Sequence, residues 1–129
     1  MLAAETNVWA RAFLNDEPAQ ARKARSALAE ARSAGGVFIP LLVLAELSWA
    51  LRGRWDRGKV LDTIEGLLQT RGVTVESAAV AWKALEASRK GAAGFADHLI
   101  AEISFASDAG EVITFDKAFG RVSGVRRLK

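Results

Sequence analysis

Residues 35–53 read GGVFIPLLVLAELSWALRG, and they set the architecture of the chain. Val37-Phe38-Ile39 is a short apolar, β-leaning run bounded by two glycines and by Pro40. Proline lacks an N–H and has its φ already fixed near the helical value, so Pro40 predicts the start of a helix through "LLVLAELSWALRG", residues 41–53. The longest apolar stretch, Val37 to Ala45, is too short to span a bilayer and is closed by Glu46. A strand that passes straight into a helix is one half of a parallel crossover unit.

The same alternation runs in both directions from this stretch. Upstream, "LAA" (2–4) predicts a first strand and "TNVWARAFL" (6–14) a helix with Thr6 or Asn7 as its N-cap. The alanine-rich segment 15–36 opens with acids and Pro18 and ends at Gly35-Gly36, which marks the start and stop of a second helix. Downstream, "WDRGKVLDTIEGLLQTRG" (55–72) predicts a helix capped by Asp56, and "VTV" (73–75) a third strand. Two more helices, 76–91 and 94–110, each closed by glycine, lead to "EVITF" (111–115), the clearest strand. "DKAFGR" (116–121) predicts a helical turn and "GVRRL" (124–128) a last strand or tail. Strands separated by helices argue for an α/β fold with a mainly parallel sheet of four to five strands, flanked by helices. The chain shows no internal repeat, low-complexity tract or linker, so 1–129 is expected to be one domain.

Composition narrows the chemistry. There is no cysteine, which removes disulfides, thiolate nucleophiles and cysteine–zinc sites and suits a reducing cytoplasm. One histidine, His98, leaves a single candidate base for a triad and excludes a multi-histidine zinc site. The net charge of +3 permits a nucleic-acid partner without requiring one. No basic region followed by an apolar run opens the chain, so no signal peptide and no membrane partner are expected.

Ligands of parallel sheets bind beyond the carboxyl ends of the strands. Four of the fifteen acids stand out on that criterion. Glu5 follows the first strand, Asp116 follows the fourth, Glu46 is the only charge between Val37 and Leu51, and Asp97 opens the helix of "GFADHLIA". Glu46 has no Lys or Arg three or four residues away on its helix, so its partner must come from elsewhere. Each acid also has an ordinary explanation: Asp116 as an N-cap, Asp97 as a partner of the helix dipole, Glu46 paired with a distant arginine, Glu5 as a loop acid. Gathered at one edge, four carboxylates would repel and a divalent cation would resolve that repulsion; hard oxygen ligands favour Mg²⁺ or Mn²⁺.

At these residues the chain resembles the PIN-domain family, and specifically the VapC-type toxin ribonucleases of VapBC toxin–antitoxin pairs. "ETNVWARAFLNDEPAQ" is similar to the family's opening, usually Asp-Thr-Asn followed by apolar residues; "IPLLVLAELSWAL", "GFADHLIA" and "VITFDKAFGR" resemble the second, third and fourth motifs. The resemblance implies a three-layer α/β sandwich and a Mg²⁺-dependent site of Glu5, Glu46, Asp97 and Asp116 that hydrolyses RNA phosphodiesters. It also implies supporting roles for Thr6, Asn7 and Thr114, a homodimer, and an antitoxin that covers the groove. The departure is Glu5, where the family normally has aspartate; the extra methylene bears on metal affinity and rate, and keeps open a weak or inactive PIN-fold binding module.

RNA contacts are expected from Arg11, from the cluster Arg52, Arg54, Arg57 and Lys59, and from the tail Arg121, Arg126, Arg127 and Lys129. Among the four tryptophans, Trp82 is expected in the core, Trp9 and Trp49 in the core or a dimer contact, and Trp55 exposed. His98 is adjacent to Asp97, but neighbouring helix positions point apart, so a structural or groove role is expected rather than acid catalysis. A phosphoryl enzyme of the haloacid-dehalogenase or response-regulator kind would need an aspartate nucleophile after the first strand, where Glu5 stands. A purely structural α/β domain is the remaining alternative.

Overall fold

No strand exceeds three residues, so the hydrogen-bond ladders alone are too short to organise the chain, and the helices between them carry the packing. In the computed structural model, which describes residues 1–129, the chain divides into two compact units, Met1–Ala78 and Ala79–Lys129. The α/β class and the parallel pairing agree with the sequence. The five strands are shared between a three-stranded and a two-stranded sheet.

The first unit contains β1 (Leu2–Ala3), α1 (Thr6–Leu14), α2 (Pro18–Ser33), β2 (Val37–Ile39), α3 (Leu41–Arg52), α4 (Arg57–Gln69) and β3 (Val73–Val75). The strands lie in the order β1-β2-β3, all parallel, with Leu2 opposite Val37 and Val37 opposite Val73. Parallel neighbours need a crossover, and each is a pair of helices. Val37 and Ile39 of β2, Leu44, Leu47 and Leu51 of α3 and Ile64 of α4 are fully buried. Each such side chain contributes about 1.5–3 kcal/mol by leaving water.

The helix boundaries follow local chemistry. Asn15 ends α1 in the left-handed conformation at φ 54°, which asparagine tolerates better than most residues. Pro18 occupies the first turn of α2, and Asp56 caps α4 by accepting from the Lys59 N–H at 2.9 Å. The N-cap of α1 is Glu5, so neither Thr6 nor Asn7 caps it. The two residues already lie inside the helix, and the Thr6 hydroxyl is used elsewhere. Pro40 opens α3 as expected but offers no side-chain cap. The Glu76 carboxylate supplies one from just beyond β3, accepting from the Leu41 N–H at 2.8 Å. Backbone pairing of Glu76 N–H with the Ile39 carbonyl at 2.9 Å holds it there.

The second unit begins one residue into α5 (Ala78–Lys90) and goes on through α6 (Phe95–Ala106), β4 (Val112–Thr114), a 3-10 turn (Phe119–Arg121) and β5 (Val125–Arg127). The predicted last strand or tail is therefore a strand, parallel to β4 with Val112 opposite Val125. Only residues 115–124 connect these parallel strands. A parallel crossover usually takes about a dozen residues or more, so this one is tight. It closes through Gly124, which adopts φ +85° and sits so close to Phe105 that a Cβ there would stand 2.7 Å from the ring. Phe119 and Val125 join Ala93 and Ala101 in the core beneath it, with Phe105, Val112 and Val122 packed alongside. The helix expected to close at Gly110 ends earlier, at Ala106, where Asp108 takes the left-handed turn at φ 66°.

Two substitutions test these constraints by urea denaturation. Glu76→Ala removes the cap of α3 and should cost about 1 kcal/mol. Gly124→Ala should cost more, about 1–2 kcal/mol for the left-handed backbone and a further penalty for displacing Phe105; an unchanged midpoint would show that the crossover relaxes freely.

Candidate functional site

Glu5 stands where β1 gives way to α1. Its backbone is extended, at φ −69° and ψ 159°, and its exposed carboxylate makes no capping bond to the helix. The next residue, Thr6, donates its hydroxyl to Glu46 Oε1 at 2.7 Å. That bond spans forty residues and ties the first turn of α1 to the middle of α3. The apolar run around Glu46 predicts apolar surroundings and a partner from a distant segment, and the partner is indeed distant. Glu46 is instead exposed, and its partner is a neutral hydroxyl. The reason is periodicity: Leu42, Glu46 and Trp49 recur at four- and three-residue spacing, and this one stripe of α3 faces outward, with Leu42 70% and Trp49 59% exposed.

In the second unit Asp97 lies in the first turn of α6, half-buried. A carboxylate at this position interacts favourably with the helix N-terminus. Asp116 follows β4 and does act as a cap: its Oδ2 accepts from the Phe119 N–H at 2.7 Å. Its own N–H donates to Thr114 Oγ1 at 3.0 Å, so Thr114 fixes the backbone from which Asp116 projects. His98 is buried, at 3% exposure, which agrees with a structural placement. Asn7 is exposed on the first turn of α1 and lines a cleft with Arg11, Gln20 and Lys23.

Carboxylates, a hydroxyl and an amide are the hard donors that suit Mg²⁺, an ion that commonly uses one or two carboxylates and keeps several waters. Glu5 and Glu46 offer this in the first unit, Asp97 and Asp116 in the second. No three His, Cys, Asp or Glu side chains are grouped closely enough to hold a metal ion.

Several basic residues expected at an RNA surface have partners within the protein. Arg11 donates to Gln20 Oε1 at 2.8 Å and to Asp16 Oδ1 at 3.2 Å, and Arg54 reaches Asp16 Oδ2 at 3.3 Å. Exposed pairs of this kind contribute at most about 1 kcal/mol, so a phosphate can compete for either arginine. Lys59 lies 4.1 Å over the Trp55 ring. Trp55 itself is half-buried, not exposed as expected, because Phe13 meets it edge-on at 6.4 Å and in turn stacks on Trp9. Trp9 is in the core as expected; Trp82, placed there by its spacing, is only half-buried. Arg52 and Arg57 are exposed.

In the tail, Arg126 binds both oxygens of Glu111, at 2.8 and 3.2 Å. The hydrogen bonds from Arg126, and then its charge, hold the Glu111 carboxyl below the ordinary range. A lowered folded-state value contributes stability above the unfolded value of about 4.3 and loses it as pH falls through the folded value. Glu111→Gln should therefore lower stability slightly at neutral pH, leave the strongly acidic end unchanged, and so flatten the acid limb of a stability–pH curve below about pH 4.3; a limb of unaltered slope would show that the pair does not persist in solution.

No helix is long and apolar enough to cross a membrane. No curated protein and no solved structure gives a significant match to the chain. The PIN domain family model matches residues 3–125, a span that contains Glu5, Glu46, Asp97 and Asp116. Proteins of that family are generally metal-dependent nucleases, and with nearly its whole length matched the chain belongs to the PIN domain family.

Proposed function

We propose that the chain is a Mg²⁺-dependent endoribonuclease, the toxin component of a type II toxin–antitoxin pair acting in the cytoplasm. The observation that carries this reading is the family match over residues 3–125 together with where its acids stand. Glu5 and Asp116 follow parallel strands, Glu46 lies in the helix after β2, and Asp97 opens α6. Glu5 and Glu46 of the first unit and Asp97 and Asp116 of the second are the acids that would hold one or two Mg²⁺ ions, largely through water, with Mn²⁺ able to substitute. Such an ion activates water and offsets charge on the attacked phosphate. A chain without cysteine and with its one histidine buried then needs no protein nucleophile.

The remaining roles belong to the protein itself. Thr6 orients Glu46 through its 2.7 Å hydrogen bond, and Thr114 orients Asp116 through the backbone. Asp116 spends one oxygen on the Phe119 N–H, which fixes its rotamer. Arg11, Arg52, Arg54, Arg57 and Lys59 would meet phosphates. The outward Leu42 and Trp49 support a homodimer or an antitoxin contact, since exposed apolar patches mark interfaces.

Single-turnover cleavage of a defined RNA with Mg²⁺ or Mn²⁺ tests the reading. Asp97→Asn and Asp116→Asn should each slow cleavage at least about a hundredfold, and binding should weaken steeply with salt. Unchanged rates in both variants would sink the assignment. The second reading, a weak or inactive binding module, is favoured by Glu5 alone. Glu5→Asp separates the two, because a shorter acid should raise the rate by up to about tenfold if the site is catalytic; a chain silent in both forms, and without Mn²⁺ affinity, is a binding module.

A further inference from the structure

We propose that the first unit carries a binding site for a small amphipathic anion, an apolar ring or short chain bearing a carboxylate, sulfonate or phosphate. The site is a cavity of about 380 Å³ among α1, α2, α4 and β3, a volume in the range of small-molecule pockets. Its apolar lining includes Phe13, Leu28 and Leu67, and its positive charge comes from Arg25 and Arg32. None of the four candidate acids lines it, and neither does any other Asp or Glu.

Two features point to an anion rather than to a plain apolar gap. Trp9 lines the cavity, is 3% exposed, and its indole N–H has no hydrogen-bond partner. That N–H is shut off from the cavity by its neighbours, so Trp9 contributes only apolar ring surface to the lining. Arg25 donates from Nε to the Ala12 carbonyl at 2.8 Å, and Arg32 from Nε to the Arg71 carbonyl at 3.2 Å. Each backbone bond fixes a guanidinium while leaving its terminal nitrogens to other acceptors. Neither arginine is paired with a carboxylate. Two cations of like sign at the rim of an apolar cavity, uncompensated by any acid, are stabilised by an anion whose body displaces water from the apolar lining. Both arginines are exposed and otherwise solvated; an anion replaces that water with charge-assisted hydrogen bonds, a neutral ligand does not, and a cation would be repelled.

The test uses the full-length protein without RNA or metal, so it is independent of the nuclease reading. The probe is anilinonaphthalene sulfonate, followed by its fluorescence, with the uncharged phenyl-naphthylamine as comparison. The expected result is saturable binding of one sulfonate per chain, with the neutral analogue at least about tenfold weaker. Arg32→Gln and Ala29→Phe, the second placing a ring in the cavity mouth from an exposed position on α2, should each weaken the sulfonate about tenfold. Displacement by decanoate assigns a chain-like ligand and displacement by naphthoate a ring. Equal affinity of the charged and neutral probes, measured on the unsubstituted protein, overturns the proposal whether or not the variants fold. So does failure of both competitors, or sulfonate binding indifferent to both substitutions in variants whose circular dichroism is intact.

Discussion

Parallel pairing of very short strands is the constraint on which the rest of the protein depends. A two- or three-residue strand offers too few ladder bonds to hold its neighbour, and a parallel neighbour cannot be reached by a tight turn. Long helical returns therefore join the strands of the first sheet and supply the burial that those strands lack, whereas β4 and β5 are joined by a short segment with a 3-10 turn. The same constraint decides where polar chemistry collects. All strands of one sheet end on the same edge, so Glu5 after β1, the start of α3 after β2 and Glu76 after β3 share an edge of the first sheet. The 2.8 Å bond between Glu76 and the Leu41 N–H is a direct sign of that convergence. In the second unit Thr114 and Asp116 end β4 in the same way.

At these edges helix N-termini meet carboxylates, and two different uses follow. Glu76 and Asp116 satisfy backbone N–H groups, as acids near helix starts commonly do. Glu5 and Glu46 donate nothing to capping; one is exposed without a capping bond and the other accepts from a hydroxyl. Within each unit the acids are thus divided between those that cap a helix and those that do not. Asp116 caps with one oxygen, because a carboxylate has two and the cap engages one.

The elements were legible in the sequence because their signals are local. Pro18, Pro40, Asp56 and the Gly35-Gly36 pair act on the residues beside them, and the helices and strands fall within a few residues of their predicted ends. What stayed hidden depends on residues far apart in the chain. Nothing near Glu46 announces Thr6, forty residues away, and nothing near Pro40 announces Glu76. Glu46 misled because the apolar run around it does not show which side of the helix is open, whereas one stripe of α3 faces outward. Trp55 misled because its arginine neighbours suggested solvent, while Phe13 covers one side of it. The pairing of Arg11 and Arg54 through Asp16 needed the loop after α1 and the loop after α3 to be seen together.

The glutamate at position 5 takes on a different meaning once its backbone is known. It is the N-cap of α1, the place where an aspartate side chain most readily folds back onto the helix N–H groups. Aspartate there would divide its oxygens between the cap and any ligand, as Asp116 divides its own. Glutamate is one methylene too long for that geometry, and its carboxylate indeed makes no capping bond. The longer acid therefore loses the rigidity that a capping bond confers and keeps both oxygens uncommitted. It adds one rotatable bond, whose ordering a ligand must offset when it binds. The first turn of α1 is nonetheless held, because Thr6 anchors it to Glu46 through a bond that does not involve position 5. Whatever the substitution costs therefore falls on the placement of one carboxylate and not on the helix that carries it.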